Sequence, residues 1–269
     1  GVEFLTSIGM GTPEQYQCKE LKEIDDGPYL SMGITAENVA RRYGVSRAEM
    51  EALAVESHRR AHAAQEAGVF DAEIVPVNAV QEDGSTALFR RDEGIRPGTT
   101  AEKLAELKPC FLEDGLVTAA TSSQVSDGAA AVVLMSREKA EQLGVRPIAR
   151  FLGFAVAGVD PSYMGIGPIY AVPKIMARTG LTVADMDVIE LNEAFAAQAI
   201  PCIRELGIDT QRQLNPNGGA MALGHPLAGT GAILTAKLLY ELKRRRARYG
   251  LVAFCMAGGQ GGAAVFERI

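Results

Sequence analysis

The chain has 269 residues, which is enough for one large or two small domains. Its 47% hydrophobic and 22% charged residues are typical of a packed globular protein and exclude a mainly disordered chain. The formal net charge of −6 excludes a general electrostatic footprint for nucleic acids, and no apolar run approaches the ~18 residues that span a bilayer.

The first helical signals follow an irregular stretch that is rich in Gly and Pro. Thr35 is the predicted N-cap of one helix. Ser46 and Glu49 have the spacing of a capping box, in which each residue satisfies a backbone N–H of the other. This box predicts a long Ala-rich helix that extends to about residue 67.

Residues 68–146 predict fewer and shorter helices and strands. Residues 73–77 indicate a short strand, and the Pro within it favours the edge of a sheet. A polar loop, a charged turn and a small helix at 102–107 are predicted within 81–117. The apolar run 129–135 predicts a buried strand.

The second half alternates strands and helices, which predicts an α/β sheet covered on both faces. The predicted strands are 148–156, 188–191, 251–256 and 263–266. The predicted helices are 169–178, 194–206 and 229–246. The last two strands form a predicted hairpin, because only a glycine-rich turn separates them. The main domain boundary is expected near Arg146-Pro147.

The four cysteines, Cys18, Cys110, Cys202 and Cys255, lack the short spacings of metal or redox sites. Reduced thiols in a cytoplasmic compartment are therefore expected. Cys255 ends an apolar strand before a glycine turn, where a thiol can meet a substrate. A small buried hydrophobic residue is the alternative interpretation.

Two of the three histidines, His58 and His62, lie four residues apart on the long helix. No acidic third ligand accompanies them, so a solvated helix face is preferred over a metal site. His225 lies between Gly224 and Pro226, on a turn that Pro226 fixes. It is either a surface turn residue or a partner for Cys255, whose reactivity requires one.

Two further segments have the residue types of a site. Asn192 follows a predicted strand, where its side chain can cap the next helix or position a water molecule. Residues 121–128 are rich in small hydroxyl groups and either line a ligand groove or form a solvated turn.

Eight segments of the chain, in order and spanning almost its whole length, resemble segments of the thiolase family. They are Ser31-Met32-Gly33-Ile34-Thr35-Ala36-Glu37-Asn38-Val39-Ala40, Asp92-Glu93-Gly94-Ile95-Arg96-Pro97, Ser122-Ser123-Gln124-Val125-Ser126-Asp127-Gly128-Ala129-Ala130, Met164-Gly165-Ile166-Gly167-Pro168, Asn192-Glu193-Ala194-Phe195-Ala196, Asn217-Gly218-Gly219-Ala220, Gly224-His225-Pro226 and Cys255-Met256-Ala257-Gly258-Gly259-Gln260-Gly261. The serine-rich stretch and the Gly-Gln-Gly ending are more similar to the degradative 3-ketoacyl-CoA thiolases than to the biosynthetic acetoacetyl-CoA thiolases.

The resemblance implies an α/β fold, a layered αβαβα sandwich with an inserted loop domain. Residues 1–9 would be a remnant of the N-terminal thiolase half and 10–122 the loop domain that covers CoA. Residues 123–146 would end the N-terminal half, and 147–269 would form a complete C-terminal half.

The resemblance also implies the reaction, thiolytic cleavage of a 3-oxoacyl-CoA by CoA in β-oxidation of fatty or related acids. Coenzyme A would be a substrate rather than a permanently bound cofactor, and no metal is expected. The full-length partners would be acyl-CoA substrates and copies of the same chain in a homodimer or homotetramer. Neither nucleic acid nor a membrane span is expected.

The resemblance assigns three catalytic residues. His225 would deprotonate the family's nucleophilic cysteine and stabilise the first oxyanion, with a water molecule held by Asn192. Cys255 would be the second acid and base, and its ordinary pKa near 8.5 suits proton exchange. The N–H of Ala257 would contribute to the second oxyanion hole, provided that its backbone conformation tolerates a Cβ atom.

The resemblance also assigns substrate contacts. Ser123 would contact the pantetheine arm of CoA, and Arg96 its nucleotide end. Four apolar residues would line the tunnel for the pantetheine arm or the acyl chain: Met32, Phe111, Met164 and Phe195. The alternative is that these residues pack in the core.

The sequence departs from the family pattern at several positions. Ser31 replaces a frequent His, Ala120-Thr121 replace Gly-Asn, and Ala257 replaces Gly. The family's nucleophilic cysteine has no counterpart, since none of the other three cysteines has a matching context. Two interpretations therefore remain: a degradative thiolase seen in part, or a non-catalytic CoA-binding or partner subunit that lacks the nucleophile.

Overall fold

The computed structural model describes residues 1–8, 16–81 and 83–269. The α-helices of the described residues are α1 (Leu5–Ile8), α2 (Lys19–Ile24), α3 (Met32–Tyr43), α4 (Arg47–Glu66), α5 (Ala101–Ala105), α6 (Arg137–Leu143), α7 (Gly167–Thr179), α8 (Ala196–Leu206), α9 (Ala220–Leu223) and α10 (Leu227–Arg245). The strands are β1 (Val2–Phe4), β2 (Val77–Val80), β3 (Thr86–Phe89), β4 (Asp127–Ala129), β5 (Ala149–Gly158), β6 (Val188–Leu191), β7 (Tyr249–Met256) and β8 (Gln260–Arg268). The predicted boundary between residues 9 and 10 lies outside the described residues.

The main sheet has the strand order β5-β8-β7-β6 and contains the strands predicted in the second half. β6 and β7 are parallel, whereas β7 and β8 form the predicted antiparallel hairpin. Successive side chains of a strand point to opposite faces, so Leu251 packs towards α7 and α8 while Val252 packs towards α10. The sheet is therefore covered by helices on both faces, as predicted.

The long helix α4 forms as the capping box predicts. The side chain of Ser46 accepts a bond from the N–H of Glu49, and the Glu49 carboxylate accepts from the N–H of Ser46. The prediction for the preceding helix was wrong at its start, because Ser31 rather than Thr35 is its N-cap. Thr35 lies inside α3, where its hydroxyl donates to the carbonyl of Met32.

The strand predicted at 73–77 was wrong. The strand begins only at Val77, after Pro76, whose missing N–H cannot join a ladder. It forms an antiparallel hairpin with Thr86–Phe89, within the stretch predicted as a polar loop. The small helix predicted at 102–107 forms as Ala101–Ala105.

The buried strand predicted at 129–135 was also wrong. Only Ala129 belongs to a strand, and Val133 and Leu134 are 80% and 71% exposed. In the described part of the chain, the three-residue strand β1 is the partner of β4. A strand is buried by neighbours on its edges and faces, and the described residues supply few of them here.

Candidate active site

Asn192 lies directly after β6, at the edge where the carboxyl ends of β6 and β7 meet. Its N–H donates to the carbonyl of Ala253 on β7 (2.9 Å), which fixes the backbone at the strand end. The predicted capping role is wrong, since α8 begins later and has Phe195 at its N-cap. The Asn192 side chain instead points to His225, with Nδ2 3.2 Å from the imidazole Nε2.

The other polar atom of Asn192 is also informative. Its Oδ1 is buried and has no hydrogen-bond partner among the described residues. A buried amide oxygen without a partner is costly, because it has lost the hydrogen bonds of water. Such an oxygen is well placed to hold a water molecule or a ligand donor.

His225 is held by contacts on its backbone and on its ring. The Ser126 hydroxyl accepts from the His225 N–H (3.0 Å), and Thr230 Oγ1 lies 2.7 Å from Nδ1. The preceding Gly224 has a φ of +89°, and a Cβ there would lie 2.3 Å from Ser126 Oγ. Only glycine therefore allows the turn to approach Ser126 so closely.

Burial determines the charge of the imidazole. It lowers the pKa of His225 to about 4, because the charged form would lose its hydration. His225 is accordingly neutral near pH 7, so one of its ring nitrogens has a lone pair that can accept a hydrogen bond or a proton.

Cys255 lies on β7, two residues beyond Ala253, the strand partner of Leu191. Its side chain is buried beside Met164 and Phe195. Burial raises the pKa of its thiol to about 11, in contrast to the near-neutral value expected from the sequence. The group is therefore a protonated thiol at neutral pH.

Ala257 begins the turn that joins β7 to β8 and is exposed. The residues of this turn with a left-handed backbone are Gly258 and Gly259, at φ of +78° and +82°. Ala257 is not among the positive-φ residues of the described chain. The Cβ atom of Ala257 is thus compatible with the turn.

The four apolar residues predicted to line a tunnel lie near one another. Met164 and Phe195 are buried in one apolar cluster with Cys255, and Met32 packs against this cluster. The ring of Phe111, which is 37% exposed, meets that of Phe195 edge-on with their centres 6.0 Å apart. This arrangement accommodates both a tunnel wall and ordinary packing.

The two predicted CoA contacts occupy different positions. Ser123 is half-buried and close to the site, and its N–H donates to the carbonyl of Ala194 (2.8 Å). Arg96 is exposed, and its N–H donates to Nδ1 of His58 (3.2 Å). The solvated face predicted for His58 was wrong, because its side chain is only 5% exposed and packs under the Arg96 turn.

Within residues 1–8, 16–81 and 83–269, no group of three or more His, Cys, Asp or Glu is placed to hold a metal ion. Burial and the neighbouring Arg96 lower the pKa of His58. His58 is buried on α4, whereas His62 on the same helix is half-buried.

The sequence reasoning missed two buried carboxylates that flank Asn192. Glu193 accepts from the Ser57 hydroxyl (2.6 Å) and from the Asn215 amide (2.8 Å). Glu190 pairs with Lys237 (2.9 Å), which also donates to the carbonyl of Gly218 (2.7 Å). Glu190 could have been found from the sequence, because it is an acidic residue inside the apolar stretch 188–191.

These carboxylates fix the segment that leads to His225. Burial alone would lower the pKa of Lys237, but Glu190 at 2.9 Å raises it, so the ammonium stays charged. Two cavities of about 340 Å³ lie beside α4, and neither is lined by His225 or Cys255. The site is therefore defined by its side-chain contacts rather than by these cavities.

Two family models match the chain, one before and one after the segment 139–144. The model described as "Thiolase, N-terminal domain" matches residues 13–138, and "Thiolase, C-terminal domain" matches residues 145–268. The chain belongs to the thiolase family. The thiolase-like α/β fold predicted from the resemblance is thereby confirmed.

Individual relatives agree with this assignment. The chain is 53% identical to the 3-ketoacyl-CoA thiolase of Bacillus subtilis (strain 168), over 89% of this chain and 63% of that protein. It is 50% identical to the peroxisomal 3-ketoacyl-CoA thiolase B of Rattus norvegicus, over 99% of this chain and 64% of that protein. The chain thus spans slightly less than two thirds of the length of these relatives, whose names are those of the predicted degradative type.

A solved thiolase-family structure has the same fold. The crystal structure of the Bacillus anthracis acetyl-CoA acetyltransferase superposes with a TM-score of 0.91 at 40% identity. The match covers all of this chain and 71% of that one. Among the described residues, no helix is both long and apolar enough to cross a membrane.

Proposed function

We propose that this chain takes part in the degradative thiolase reaction of fatty-acid β-oxidation, in which a 3-oxoacyl-CoA and CoA give a shortened acyl-CoA and acetyl-CoA. The observation that carries the proposal is the 3.2 Å contact of Asn192 with His225 at the sheet edge that ends in Cys255. Relatives that share about half of the sequence and are named 3-ketoacyl-CoA thiolase support the same chemistry.

His225 is proposed as the first base. Its Nε2 takes the proton of a nucleophilic cysteine, and the resulting thiolate attacks the 3-oxo carbon of the substrate. The lowered pKa of His225 supports this role, because the imidazole is neutral and can accept the proton. The nucleophile belongs to the family's N-terminal half, and the cysteines of this chain have no matching context.

Cys255 is proposed as the second acid and base. When the bond between C2 and C3 breaks, the thiol gives its proton to C2 of the departing enolate, which becomes acetyl-CoA. The Cys255 thiolate then takes the proton of incoming CoA, whose sulfur attacks the acyl-enzyme and releases the shortened acyl-CoA. The raised pKa of the buried thiol supports the first step, because the proton is present when it is needed.

Oxyanion stabilisation is proposed at two places. His225 and a water molecule on Asn192 would stabilise the first oxyanion, and the partnerless Oδ1 of Asn192 supports a bound water there. The N–H of Ala257 would contribute to the second. Its position in a turn where only Gly258 and Gly259 have a left-handed backbone is compatible with that role.

Binding of the acyl-CoA substrate is proposed to involve the segments around this edge. Ser123 would contact the pantetheine arm, and its hydrogen bond to Ala194 supports a position beside the catalytic loop. Arg96 would contact the nucleotide end of CoA, where an exposed guanidinium can bind phosphate. The apolar wall would come from Met32, Phe111, Met164 and Phe195.

The domain organisation, the oligomeric state and the cellular location are also part of the proposal. Residues 1–9 and 123–146 would belong to the N-terminal half, 10–122 to the loop domain and 147–269 to the C-terminal half. We infer a homodimer or homotetramer for the full-length enzyme. A cytoplasmic location is supported by the cysteines, all four of which are free.

The test adds to the chain a segment of a relative that carries the family's nucleophilic cysteine. The N-terminal part of the B. subtilis thiolase that precedes its match is fused to residues 1–269, and cleavage of a 3-oxoacyl-CoA is followed by the loss of its absorbance. We expect turnover that depends on CoA and disappears when the nucleophilic cysteine of the added segment becomes Ser.

The alternative, a non-catalytic CoA-binding subunit, predicts a different result. The fusion would then bind CoA in a calorimetric titration but give no turnover, whichever 3-oxoacyl chain is offered. Turnover that persists in the fusion without its nucleophile, and also after Cys255→Ser, would contradict the proposed mechanism.

A further inference from the structure

The imidazole of His225 is contacted at both of its nitrogens. Nδ1 lies 2.7 Å from Thr230 Oγ1 on the first turns of α10, and Nε2 lies 3.2 Å from Asn192 Nδ2. Thr230 is 5% exposed, and its hydroxyl also donates to the carbonyl of Pro226 (3.0 Å). The ring and its two neighbours thus form one continuous hydrogen-bonded chain.

The chemistry of these neighbours determines which nitrogen carries the hydrogen. A threonine hydroxyl has one hydrogen, and the carbonyl of Pro226 can only accept it. The bond between Thr230 and His225 must then take its hydrogen from Nδ1. On the opposite side, Asn192 Nδ2 can only donate, so Nε2 must accept.

We propose that Thr230 is a positioning residue that fixes His225 in the Nδ1–H tautomer and thereby leaves the lone pair on Nε2, where it accepts from Asn192. A free histidine side chain in water favours the opposite tautomer, with the hydrogen on Nε2. The inference rests on the proposed function for its catalytic meaning: Nε2 can take a proton without a prior tautomer change. After protonation the bond from Nδ1 to Thr230 is unchanged, whereas the bond that Asn192 donates to Nε2 is lost.

A second histidine of the same chain provides an internal reference. Nδ1 of His58 accepts a hydrogen from the backbone N–H of Arg96 (3.2 Å). Nδ1 therefore has no hydrogen of its own when His58 is neutral, and His58 has the Nε2–H tautomer. The two buried histidines are thus expected to have opposite tautomers.

The experiment reads these tautomers directly by NMR. The 269-residue chain is labelled with ¹⁵N-histidine, and a long-range ¹H–¹⁵N correlation spectrum is recorded near pH 7. The chain has only three histidines, and His62→Gln and His225→Gln assign their signals. We expect a protonated Nδ1 and an unprotonated Nε2 for His225, and the reverse for His58.

Three substitutions on α10 isolate the hydroxyl of Thr230. Thr230→Val keeps the shape but removes the hydroxyl. It is expected to give His225 a population of the Nε2–H tautomer that the unsubstituted chain lacks, because Nδ1–H then has no acceptor and only the bond from Asn192 still favours the Nδ1–H tautomer. Thr230→Ser keeps the hydroxyl and is expected to keep the Nδ1–H tautomer. Thr235→Val is the matched control, because Thr235 makes the same kind of bond, to Gly231 O (2.7 Å), without contacting His225.

Two results would overturn the proposal. One is an Nε2–H or exchanging tautomer for His225 in the unsubstituted chain. The other is a Thr230→Val chain in which His225 keeps the Nδ1–H tautomer alone, with no Nε2–H population. Neither readout requires turnover, so this inference can fail while the proposed reaction holds, and the reverse is equally possible.

Discussion

Two apolar stretches of this chain have similar compositions and very different environments. Leu251 and Val252 on β7 are 0% and 1% exposed, whereas Val133 and Leu134 are 80% and 71% exposed. β7 lies between β6 and β8 and has helices on both faces, while β4 pairs with β1 among the described residues. An apolar sequence therefore shows that a segment can be buried, but neighbouring elements decide whether it is.

The same contrast extends to function. The covered edge of the main sheet holds Asn192 and His225 at 3.2 Å, and its burial shifts the pKa values of His225 and Cys255 in opposite directions. The stretch 130–135 has no comparable surroundings within the described chain.

The largest effect is expected for His225→Ala in the fusion with the B. subtilis N-terminal segment. We expect kcat to fall by about 10²–10⁴-fold, the range that general acid–base groups contribute. His62→Ala is the control, since His62 lies on α4 and has no contact with Asn192. Equal kcat values for the two variants in a steady-state assay would contradict the assignment of the base.

A large loss of stability is expected for Lys237→Ala, which leaves Glu190 as an uncompensated buried charge. The free energy of unfolding should fall by about 3–5 kcal/mol in urea titrations. The exposed pair of Arg41 and Asp114 gives the comparison, and Arg41→Ala should cost only about 0–1 kcal/mol. Similar losses for the two variants would show that burial does not distinguish these pairs.

An intermediate effect is expected for the pH dependence of stability. The folded chain has a His225 pKa of about 4, below the ordinary value of 6.5, so the unfolded chain binds more protons between these values. The stability from neutral His225 is therefore complete above pH 6.5 and is lost as the pH falls towards 4. His225→Gln should show a smaller decrease in this window than His62→Gln in acid-dependent urea titrations.

The smallest effect concerns the comparison of the two apolar stretches itself. Val252→Ala should cost about 2 kcal/mol, because it leaves a cavity between β7 and α10. The same change at the exposed Val133 should alter the free energy of unfolding by less than about 0.5 kcal/mol. A loss at Val133 as large as that at Val252 would mean that residues 130–135 are buried in solution.

Much of the fold could be predicted because local chemistry determines it. The capping box of Ser46 and Glu49, the helix–strand alternation of the second half and the glycine turn before β8 are all local patterns. The errors are of two kinds. Residues 129–135 have few neighbours from distant parts of the described chain, whereas Thr35 lost its predicted capping role to Ser31, only four residues away.

The candidate site divides in the same way. The sequence identified Asn192, His225 and Cys255 as a set through the resemblance of their segments to the thiolase family, and each of them lies next to a predicted strand or helix end. Their catalytic roles stay predictions. Only the tertiary structure decided that His58 is buried, that Glu190 and Glu193 flank Asn192, and that Thr230 reaches Nδ1 of His225. Hydrogen bonds and desolvation depend on atoms brought together from distant positions, whereas capping and turn preferences depend on residues a few positions apart.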